Sequence, residues 1–526
     1  MRAHIEELRK AMAAHNVDFF TTLTSDAHGS EYISEHDNSL KYISGFTGTN
    51  GRLAVTKNKA LLWTDGRYFI QAEEELKGSG IELMKLGESG VSAYSEWLEE
   101  NRISDIPTDE EIVNEIWADR PARPAEAIWK HELKWAGMSA RDKLNRVYLK
   151  MRASGLSEIY VNSLDDIAWL FNLRGSDIPY NPVFYSFLHI GDTVTIYLQE
   201  KSLSDEIREY LTELNVEIKD YNSFERREEY SEIISEIKTH KTPDELNHMR
   251  ESGLRDGVYM TKFIYWLKKQ IAMGAEIDEI DASDHLDALR ASDPYYVSLS
   301  FPTISAYASN AAIVHYHSTE ESRRRLMPRG LYLVDSGGQY LDGTTDVTRT
   351  IVLGPLTAEE KQHYTLACIG MLRVLNSKFT IPCKSTIIDE CARSPLWSHD
   401  LDFNHGTGHG VGYLGCVHES PASISRSNPA AQAKKKPYVF TGHEVVSDEP
   451  GVYIEGRHGV RIENMVAVTG EGFETLTWVP LEKEALDYSV MTEEDIEMFE
   501  RYQQKVKEKI SPFLNPEEKD WLINEI

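Results

Sequence analysis

The chain has few cysteines and no long apolar run. Four cysteines occur in 526 residues, and none of them forms a C-x-x-C pair. This sparse set excludes a disulfide framework. No run of about 18 apolar residues is present, so no membrane-spanning helix is predicted. The first twenty residues also lack the apolar core of a secretory signal, and we therefore expect a cytoplasmic protein with no membrane partner.

Basic residues are in deficit. Lys and Arg number 56 against 85 Asp and Glu, which gives a formal net charge of −29. An acidic excess of this size excludes nucleic acid and anionic membranes as the main partner. Hydrophobic residues (41%) and charged residues (27%) are present in the proportions of soluble globular proteins. A chain of this length exceeds a single hydrophobic core, so two to four domains are expected.

Composition changes predict two domains in the first half of the chain. Residues 1–120 begin with helical spacing and continue with short strand-like runs, which predicts an N-terminal α/β domain. The stretch 117–126 contains two prolines and alternating charges, which is typical of a linker. A second α/β domain is predicted for residues 121–238.

The last predicted domain covers residues 239–526. Thr242 can cap a helix whose first residue is Pro243 and whose third is Glu245, which is a capping-box signal. Further helix-start signals near the end of the chain predict a helical C-terminal tail. All candidate metal ligands fall in this domain.

Two aspartates flank a predicted hairpin. In LYLVDSGGQYLDGTTDVTRTIVL, residues 331–353, an apolar strand ends at Asp335 and a Thr/Val-rich strand starts near Asp346. The hairpin brings the two carboxylates together, and they repel unless a cation or a shared proton lies between them. Two unrelated turn-capping aspartates are the alternative.

Three histidines crowd one glycine-rich segment. It reads FNHGTGHGVGYLGCVHESP and covers residues 403–421. Glycines around His409 allow close backbone approach, which makes it the best candidate ligand. His418 is a candidate to polarise a carbonyl group or bind an oxyanion. His405 is as well explained by a structural hydrogen bond as by a functional role.

Two glutamates follow in VVSDEPGVYIEGRHGVRIENMVAV, residues 445–468. Glu449 precedes a Pro-Gly reversal. Residues 460–466 predict one strand, which would place Arg461 and Glu463 on the same face. A plain ion pair between these two residues is the alternative to metal ligation.

A fourth segment contains His315 and His317. They lie two residues apart on a predicted strand in FPTISAYASNAAIVHYH, residues 301–317. His317 is interpreted as structural, whereas His315 follows an apolar run and is expected to face a cleft.

The five candidate ligands balance two divalent cations. Four carboxylates and one neutral imidazole carry a charge of −4, which two dications neutralise. Such a pair can share one hydroxide, and this arrangement favours hydrolysis at neutral pH. An oxygen-rich set with one imidazole suits Mn²⁺, and Zn²⁺, Co²⁺ or Fe²⁺ could replace it. The predicted metal ligands are Asp335, Asp346, His409, Glu449 and Glu463.

The ordered motifs resemble those of the Xaa-Pro aminopeptidases (aminopeptidase P), which are pita-bread metallopeptidases, and specifically the long, three-domain eukaryotic-type branch. The resemblance covers nearly the whole chain, and the segments that carry it are WTDGRYF, DDIAWLFNLRGSDIPYNPVF, SFPTISAYASNAAIVHYH, DSGGQYLDGTTDVTRT, HGTGHGVG, VHESP, SDEPGVY and GVRIENM. It implies a fold of class α/β plus α+β, with two small creatinase-N-like α/β domains before a pita-bread metallopeptidase domain. The stretch between Trp97 and Trp117 is short for this branch, so a shortened first domain is expected.

The resemblance also implies an activity. The enzyme would release the N-terminal residue from peptides with proline at the second position, by means of a hydroxide that bridges two divalent metals, usually manganese. A homodimer is expected as well. The implied catalytic residues are Glu449, His418, His315 and Arg461, and the implied substrate-binding residues are His315, His405, His418 and Tyr453. Glu449 would be both ligand and proton shuttle.

Three alternatives differ in their requirements. A prolidase would cut only dipeptides and would need a positioned arginine for the substrate carboxylate. A non-catalytic pita-bread binding module would be expected to lose ligands, whereas all five are present. A creatinase-like hydrolase of a small guanidino compound would need no metal, and the complete ligand set disfavours it.

Overall fold

The computed structural model describes residues 4–104, 110–426 and 436–525. Its N-terminal region, residues 4–116, contains a four-stranded sheet in the order β1-β2-β3-β4, in which only the β3–β4 pair is parallel. The elements are α1 (Ile5–Ala14), β1 (Phe19–Leu23), α2 (Ser39–Ser44), β2 (Arg52–Thr56), β3 (Ala60–Thr64), α3 (Phe69–Glu75), β4 (Glu82–Lys85), α4 (Tyr94–Asn101) and α5 (Glu110–Ile116).

A second mixed sheet, in the order β10-β9-β8-β6, forms the middle region, residues 129–238. The elements are β5 (Trp129–Lys130), α6 (Leu133–Ala136), α7 (Ala140–Ala153), β6 (Ile159–Val161), α8 (Leu164–Phe171), β7 (Leu173–Arg174), β8 (Ser186–Ile190), β9 (Val194–Leu198), α9 (Asp205–Glu213), β10 (Val216–Asp220) and α10 (Ile233–Lys238), with 3₁₀ turns at Glu200–Ser202 and Tyr221–Ser223.

The C-terminal region, from residue 243, packs antiparallel strands against long helices. Its main sheets have the orders β19-β18-β21-β24-β25, β12-β13-β16 and β11-β14-β15. The elements are α11 (Pro243–Ala272), α12 (Glu279–Ala291), β11 (Tyr296–Leu299), β12 (Ile304–Tyr307), β13 (Leu331–Ser336), β14 (Gly338–Tyr340), β15 (Gly343–Thr344), β16 (Val347–Val352), α13 (Ala358–Leu375), β17 (Cys383–Lys384), α14 (Ser385–Trp397), β18 (Gly408–Gly410), β19 (Glu419–Ile424), β20 (Val439–Phe440), β21 (Val445–Asp448), β22 (Gly451–Ile454), β23 (His458–Arg461), β24 (Asn464–Val468), β25 (Phe473–Thr475), α15 (Glu493–Ile510) and α16 (Pro516–Glu525), with 3₁₀ turns at Ala308–Ala312, Lys483–Ala485, Tyr488–Val490 and Ser511–Phe513.

Helix α11 starts where the sequence predicts it. The Thr242 hydroxyl accepts from the Glu245 amide at 3.2 Å, and the Glu245 carboxylate accepts from the Thr242 amide at 2.8 Å. This reciprocal pair satisfies two of the donors that a helix N-terminus leaves open, with Pro243 at the first position. Among the described residues, no helix combines the length and apolarity needed to cross a bilayer.

The middle region fixes a loop of the C-terminal region. Buried Arg174 donates to the carbonyl oxygens of Leu414 at 2.6 Å and Tyr413 at 3.1 Å. Asp165 accepts from the amide of Cys416 at 2.7 Å. The loop that leads to His418 is therefore held by side chains more than two hundred residues earlier in the chain.

The predicted strand over residues 460–466 is wrong, because the chain forms two strands that belong to different sheets. Strand β23 pairs with β22 and ends at Arg461, whereas β24 pairs with β21 and begins at Asn464. The partner strand breaks opposite this point at Pro450, which has no amide hydrogen and cannot continue the ladder. Glu463 and Glu449 both lie at this shared break.

The strand predicted around His315 is also absent. His315 and His317 follow the 3₁₀ turn Ala308–Ala312, in a segment that the structure shows without helix or strand. It is held by local backbone turns and by hydrogen bonds to side chains instead of by pairing with a neighbouring strand.

Candidate active site

A single cavity of about 1250 Å³ contains the candidate residues. Side chains of all three regions line it, including Glu31 and Tyr68 of the N-terminal region and Tyr180 of the middle region. The five predicted ligands line it too, together with the four side chains His315, His405, His418 and Arg461. The cavity is thus a joint product of the three regions.

Four of the five ligand-type side chains lie at strand ends or strand breaks, and the fifth, His409, lies on the short strand β18. Asp335 lies at the end of β13, and its strand neighbour Thr348 on β16 is two residues beyond Asp346. His409 is the central residue of β18, where a Cβ on Gly408 would lie 1.8 Å from the Ser447 carbonyl oxygen. Glycine is therefore required beside His409 for the close approach of β18 to β21.

The donor atoms converge. One donor atom each from Asp346, His409 and Glu463 lie within 4.8 Å of one another, which is a spacing that can hold a metal ion. His409 Nε2 lies 3.3 Å from Asp346 Oδ2 and 3.6 Å from Glu449 Oε1. Its Nδ1–H donates to the Gly410 carbonyl oxygen at 2.9 Å, which turns Nε2 towards the carboxylates. Asp335 Oδ1 is buried and has no hydrogen-bond partner among the described residues.

The site carries an excess of buried negative charge. Burial raises the pKa of Asp335 and Glu463, and the neighbouring carboxylates raise both further, with Arg461 opposing the effect at Asp335. Burial also raises the pKa of Glu449 to about 7, against the charges of His409 and Arg461. At His409 burial lowers the pKa, but the hydrogen bond to Asp346 and the charge of Glu449 outweigh it and raise the pKa to about 9.

These observations fit a pair of divalent cations. Two carboxylates and one imidazole converge at Asp346, His409 and Glu463, while Asp335 and Glu449 line the same cavity. These carboxylates and the unpartnered Asp335 Oδ1 call for positive charge in the space between them. Buried carboxylates that repel one another are stable together once cations neutralise them. The donor set therefore suits two divalent metal ions.

A hydrogen-bonded chain lies behind the ligands. Arg461 donates to Asp335 Oδ2 at 2.6 Å and to the Tyr453 hydroxyl at 3.0 Å. The Tyr453 hydroxyl is 2.8 Å from His405 Nε2, and His405 Nδ1–H donates to the Gly406 carbonyl oxygen at 2.7 Å. Burial and the charge of Arg461 lower the pKa of His405 to about 3, so its ring is neutral.

Tyr453 and His405, which are hydrogen-bonded to each other, lie at different positions relative to the cavity. Tyr453 lies behind the wall and connects Arg461 to His405, whereas His405 itself reaches the cavity. Both nitrogens of the His405 ring have protein partners. Arg461 pairs with Asp335, whereas Glu463 accepts a hydrogen bond from Thr348 Oγ1 at 2.6 Å. The ion pair between Arg461 and Glu463 that was the alternative to metal ligation is therefore not among the contacts of the described residues.

His418 lies over His409, with ring centroids 4.2 Å apart and planes nearly perpendicular. Its Nδ1 is hydrogen-bonded to a carboxylate oxygen of Glu31 in the N-terminal region. Although burial opposes ionisation of Glu31, the positive charge and hydrogen bond of His418 lower its pKa below the ordinary value. Glu31 therefore holds His418 with Nδ1 protonated and leaves Nε2 for the cavity.

His315 faces His418 across the cavity, with nearly parallel rings and centroids 6.4 Å apart. Its Nδ1 is 2.7 Å from the Tyr68 hydroxyl, which is 2.6 Å from Thr49 Oγ1. Burial and the charges of Arg67 and His418 lower the pKa of His315 well below its ordinary value. When the Tyr68 hydroxyl donates to Nδ1, the proton of the neutral ring is on Nε2.

Sequence reasoning missed the contribution of Glu31, Thr49 and Tyr68. Glu31 and His418 are 387 residues apart in the chain. Tyr68 lies in WTDGRYF, a motif that carried the family resemblance, and this was the one available signal. No local pattern marks Glu31 as the partner of a histidine.

Family models account for nearly the whole chain. Residues 247–470 match the model of metallopeptidase family M24, and residues 471–526 match its C-terminal region. Residues 4–113 and 119–290 each match a creatinase/prolidase N-terminal domain. The predicted class, two creatinase-N-like α/β domains and a pita-bread domain, is confirmed.

Relatives match over their full length. The chain is 31% identical to aminopeptidase P1 of Arabidopsis thaliana, with 98% of each chain covered. It is 33% identical to a probable Xaa-Pro aminopeptidase P of Aspergillus niger, with 99% of this chain and 98% of the relative covered.

A solved structure shows the same architecture. An X-prolyl aminopeptidase of Caenorhabditis elegans, described as a cytosolic enzyme with a di-nuclear active site, superposes with a TM-score of 0.92 at 29% identity, over 99% of this chain and 98% of that chain. The fold, the acidic centre and the full-length relatives agree: the chain belongs to metallopeptidase family M24, among the Xaa-Pro aminopeptidases.

Proposed function

We propose that the protein releases the N-terminal residue from peptides whose second residue is proline. The observation that carries this proposal is the convergence of five ligand-type side chains beside His315 and His418 in one cavity. The relatives named aminopeptidase P1 and probable Xaa-Pro aminopeptidase P match 98% and 99% of the chain, which supports the same specificity here.

The residues proposed to hold two divalent cations are Asp335, Asp346, His409, Glu449 and Glu463. When bound, the cations polarise the scissile carbonyl group and make water acidic enough to attack at neutral pH. We propose manganese as the metal in the cell, because an oxygen-rich donor set with one imidazole suits it, with Zn²⁺, Co²⁺ or Fe²⁺ as substitutes.

Glu449 is the proposed proton carrier. Its carboxylate lines the cavity, and its Oε1 lies 3.6 Å from His409 Nε2, so it is within the site where water would attack. As a carboxylate it accepts a proton from the attacking water. It then donates this proton to the proline nitrogen as the C–N bond breaks, since that nitrogen carries no hydrogen of its own in the peptide.

His418 and His315 are the proposed donors to the carbonyl oxygen. His418 has its Nδ1–H on Glu31, and a proton on Nε2 makes it an imidazolium that can stabilise a developing oxyanion. His315 presents Nε2–H when Tyr68 donates to Nδ1. Arg461 holds Asp335, and Tyr453 holds His405, which we propose contacts the substrate.

We propose that the free N-terminal amine of the substrate lies at the end of the cavity that carries the metal ligands, so only terminal residues would be cut. The proline ring has no amide hydrogen and must be recognised by shape. We propose that the pocket for this ring is formed by His315 together with residues of the N-terminal and middle regions.

Turnover of a Xaa-Pro-Xaa tripeptide, such as Arg-Pro-Pro, tests the proposal. We expect hydrolysis of the first bond, loss of activity after dialysis against a chelator, and recovery on addition of Mn²⁺. Mass spectrometry of the products identifies the bond that is cut. Activity that is unaffected by complete metal removal would contradict the account.

Comparison with the dipeptide Ala-Pro separates the proposed activity from that of a prolidase. An aminopeptidase cleaves the tripeptide, because nothing in the proposed site needs the substrate carboxylate next to proline. An enzyme that cleaves Ala-Pro and leaves Arg-Pro-Pro intact would be a prolidase.

Glu31→Gln is expected to lower kcat by about 10- to 100-fold, the usual cost of losing a group that orients an active-site ligand or donor. Glutamine keeps the shape but removes the carboxylate that accepts the hydrogen bond from His418 Nδ1–H. Steady-state kinetics on the tripeptide measures the change. Glu35→Gln is the matched control, since Glu35 is exposed and pairs with Lys41 on the surface; equal activity of the two variants would exclude the proposed role.

We further propose a cytoplasmic homodimer with domains at residues 1–120, 121–238 and 239–526, the first of them shortened. The family resemblance supports the dimer, and the low cysteine content supports the compartment. Light scattering on the eluting protein measures the assembly, and a mass of one chain would exclude the dimer.

A further inference from the structure

The segment that contains His315 has no strand or helix to hold it. From Ile313 to Leu326 the chain forms turns and irregular structure, with one isolated bridge at Arg325. Backbone groups in such a segment must find partners elsewhere, because buried polar groups without partners are costly. Backbone bonds meet part of this need, such as those from the Tyr316 amide to the Ile313 carbonyl oxygen and from the Glu279 amide to the Arg324 carbonyl oxygen. Side-chain anchors add to them and help to set the position of His315.

One buried carboxylate is the anchor. Glu279, the first residue of α12, accepts hydrogen bonds from the Tyr307 amide at 2.6 Å and the Arg324 amide at 2.9 Å. It also accepts from Asn310 Nδ2 at 3.1 Å and from the Tyr316 hydroxyl at 2.9 Å. These donors lie at both ends of residues 307–324 and inside the segment. One side chain therefore links the two ends of this irregular segment to each other and to its interior.

Tyr316 transmits this anchor to His315. Its ring is buried in an apolar cluster with Ile304, Ala306 and Leu333, at the wall of the cavity. Its hydroxyl bonds Glu279 and lies 3.0 Å from Ser322 Oγ. Because Tyr316 directly follows His315 in the chain, fixing Tyr316 restricts where the His315 ring can lie, and Nδ1 of that ring is 2.7 Å from the Tyr68 hydroxyl.

The donors to Glu279 differ from those of an ordinary ion pair. The contacts that the structure shows come from two backbone amides, a side-chain amide and a phenol, all of them neutral. Arg324 directs its Nε to Asn310 Oδ1 at 3.1 Å. A carboxylate held by several neutral donors fixes the geometry of each of them, which suits a residue that sets the shape of a segment.

We propose that Glu279 is a positioning residue that places His315 at the reacting carbonyl group by holding residues 307–324. The proposal rests on the proposed function, in which His315 donates to the carbonyl oxygen. A displacement of about 1 Å at such a donor is enough to cost up to about 100-fold in rate.

A double-mutant cycle tests the inference with kcat on Arg-Pro-Pro and the thermal midpoint Tm as separate readouts. Glu279→Gln is expected to lower kcat by about 10- to 100-fold. In a His315→Ala background the same substitution is expected to leave kcat unchanged, because the group it positions is already gone. The fall in Tm caused by Glu279→Gln should be equal in both backgrounds.

If Glu279→Gln does not fold, Tyr316→Phe replaces it in the double-mutant cycle, because Tyr316→Phe removes only the contacts of the hydroxyl group. Glu276→Gln is the control, because Glu276 is exposed and pairs with Arg325; its kcat and Tm should match those of the wild type.

Two sets of results would overturn the inference. If Glu279→Gln lowers kcat equally in both backgrounds, Glu279 only supports the fold. If kcat is normal in the single variant Glu279→Gln or in His315→Ala, the positioning role is excluded. A wild-type enzyme that leaves Xaa-Pro tripeptides intact would instead overturn the proposed function itself, and this outcome is seen before any variant is made.

Discussion

Asp346→Asn is expected to reduce kcat/KM on a Xaa-Pro-Xaa tripeptide by about 10³-fold or more, a loss of the size seen when an essential catalytic group is removed. Asp346 lies 3.3 Å from His409 Nε2 and belongs to the convergent group with Glu463. Asparagine has nearly the same shape but supplies no charge, so a cation loses one of its ligands. Steady-state kinetics and metal analysis of the purified variant measure the effect.

The fold should survive this change. Asparagine keeps the shape of the side chain, so the Tm of the metal-free variant is expected to stay close to that of metal-free wild type. Asp342→Asn is a contrasting control on the same hairpin: it breaks the pair with Arg255 and should lower Tm while activity remains. His409→Ala should abolish turnover like Asp346→Asn, and retained activity in both would refute the ligand assignment.

Glu449→Gln is the second variant with a large expected effect. Glutamine can neither accept the proton of the attacking water nor deliver it to the proline nitrogen, and losses of general acid–base groups amount to about 10²- to 10⁴-fold. We expect this loss in kcat, with KM little changed. A pH–rate profile should also lose the step that belongs to the ionisation of this group.

The neighbouring residue supplies a matched control. Burial and the charge of Glu449 raise the pKa of Asp448 well above its ordinary value. Asp448 is buried and is not among the residues that line the cavity, so Asp448→Asn, which keeps the shape of the side chain, should leave kcat nearly unchanged. Equal losses in the two variants would show that position 449 matters for packing and not for proton transfer.

Local signals predicted much of the framework. The capping box at Thr242 and Glu245 is seen with both hydrogen bonds, because it depends only on residues three apart. The hairpin that brings Asp335 near Asp346 follows from a strand–turn–strand pattern of the same local kind. The sequence motifs therefore sufficed to bring the candidate ligands into one hypothesis.

Contacts between distant segments could not be predicted. The strand expected over residues 460–466 breaks because its partner strand breaks at Pro450, and pairing partners are not visible in a single segment. The strand expected at His315 is replaced by an irregular segment held by Glu279. In both cases a tertiary contact decides the local structure against β propensity.

The partner of His418 shows the same limit at the site itself. Glu31 lies near the other end of the chain, in a region whose sheet gives no sign of a catalytic role. A carboxylate beside a histidine is recognised only when the fold brings them together. The role of the N-terminal region in the cavity is thus a result of the structure alone.

Anomalous diffraction from crystals of the protein grown with Mn²⁺ locates the bound metal ions. We expect two strong peaks per chain, enclosed by Asp335, Asp346, His409, Glu449 and Glu463, and their loss in crystals of Asp346→Asn. Peaks at other residues only, or none in crystals that cleave the tripeptide, would contradict the ligand assignment.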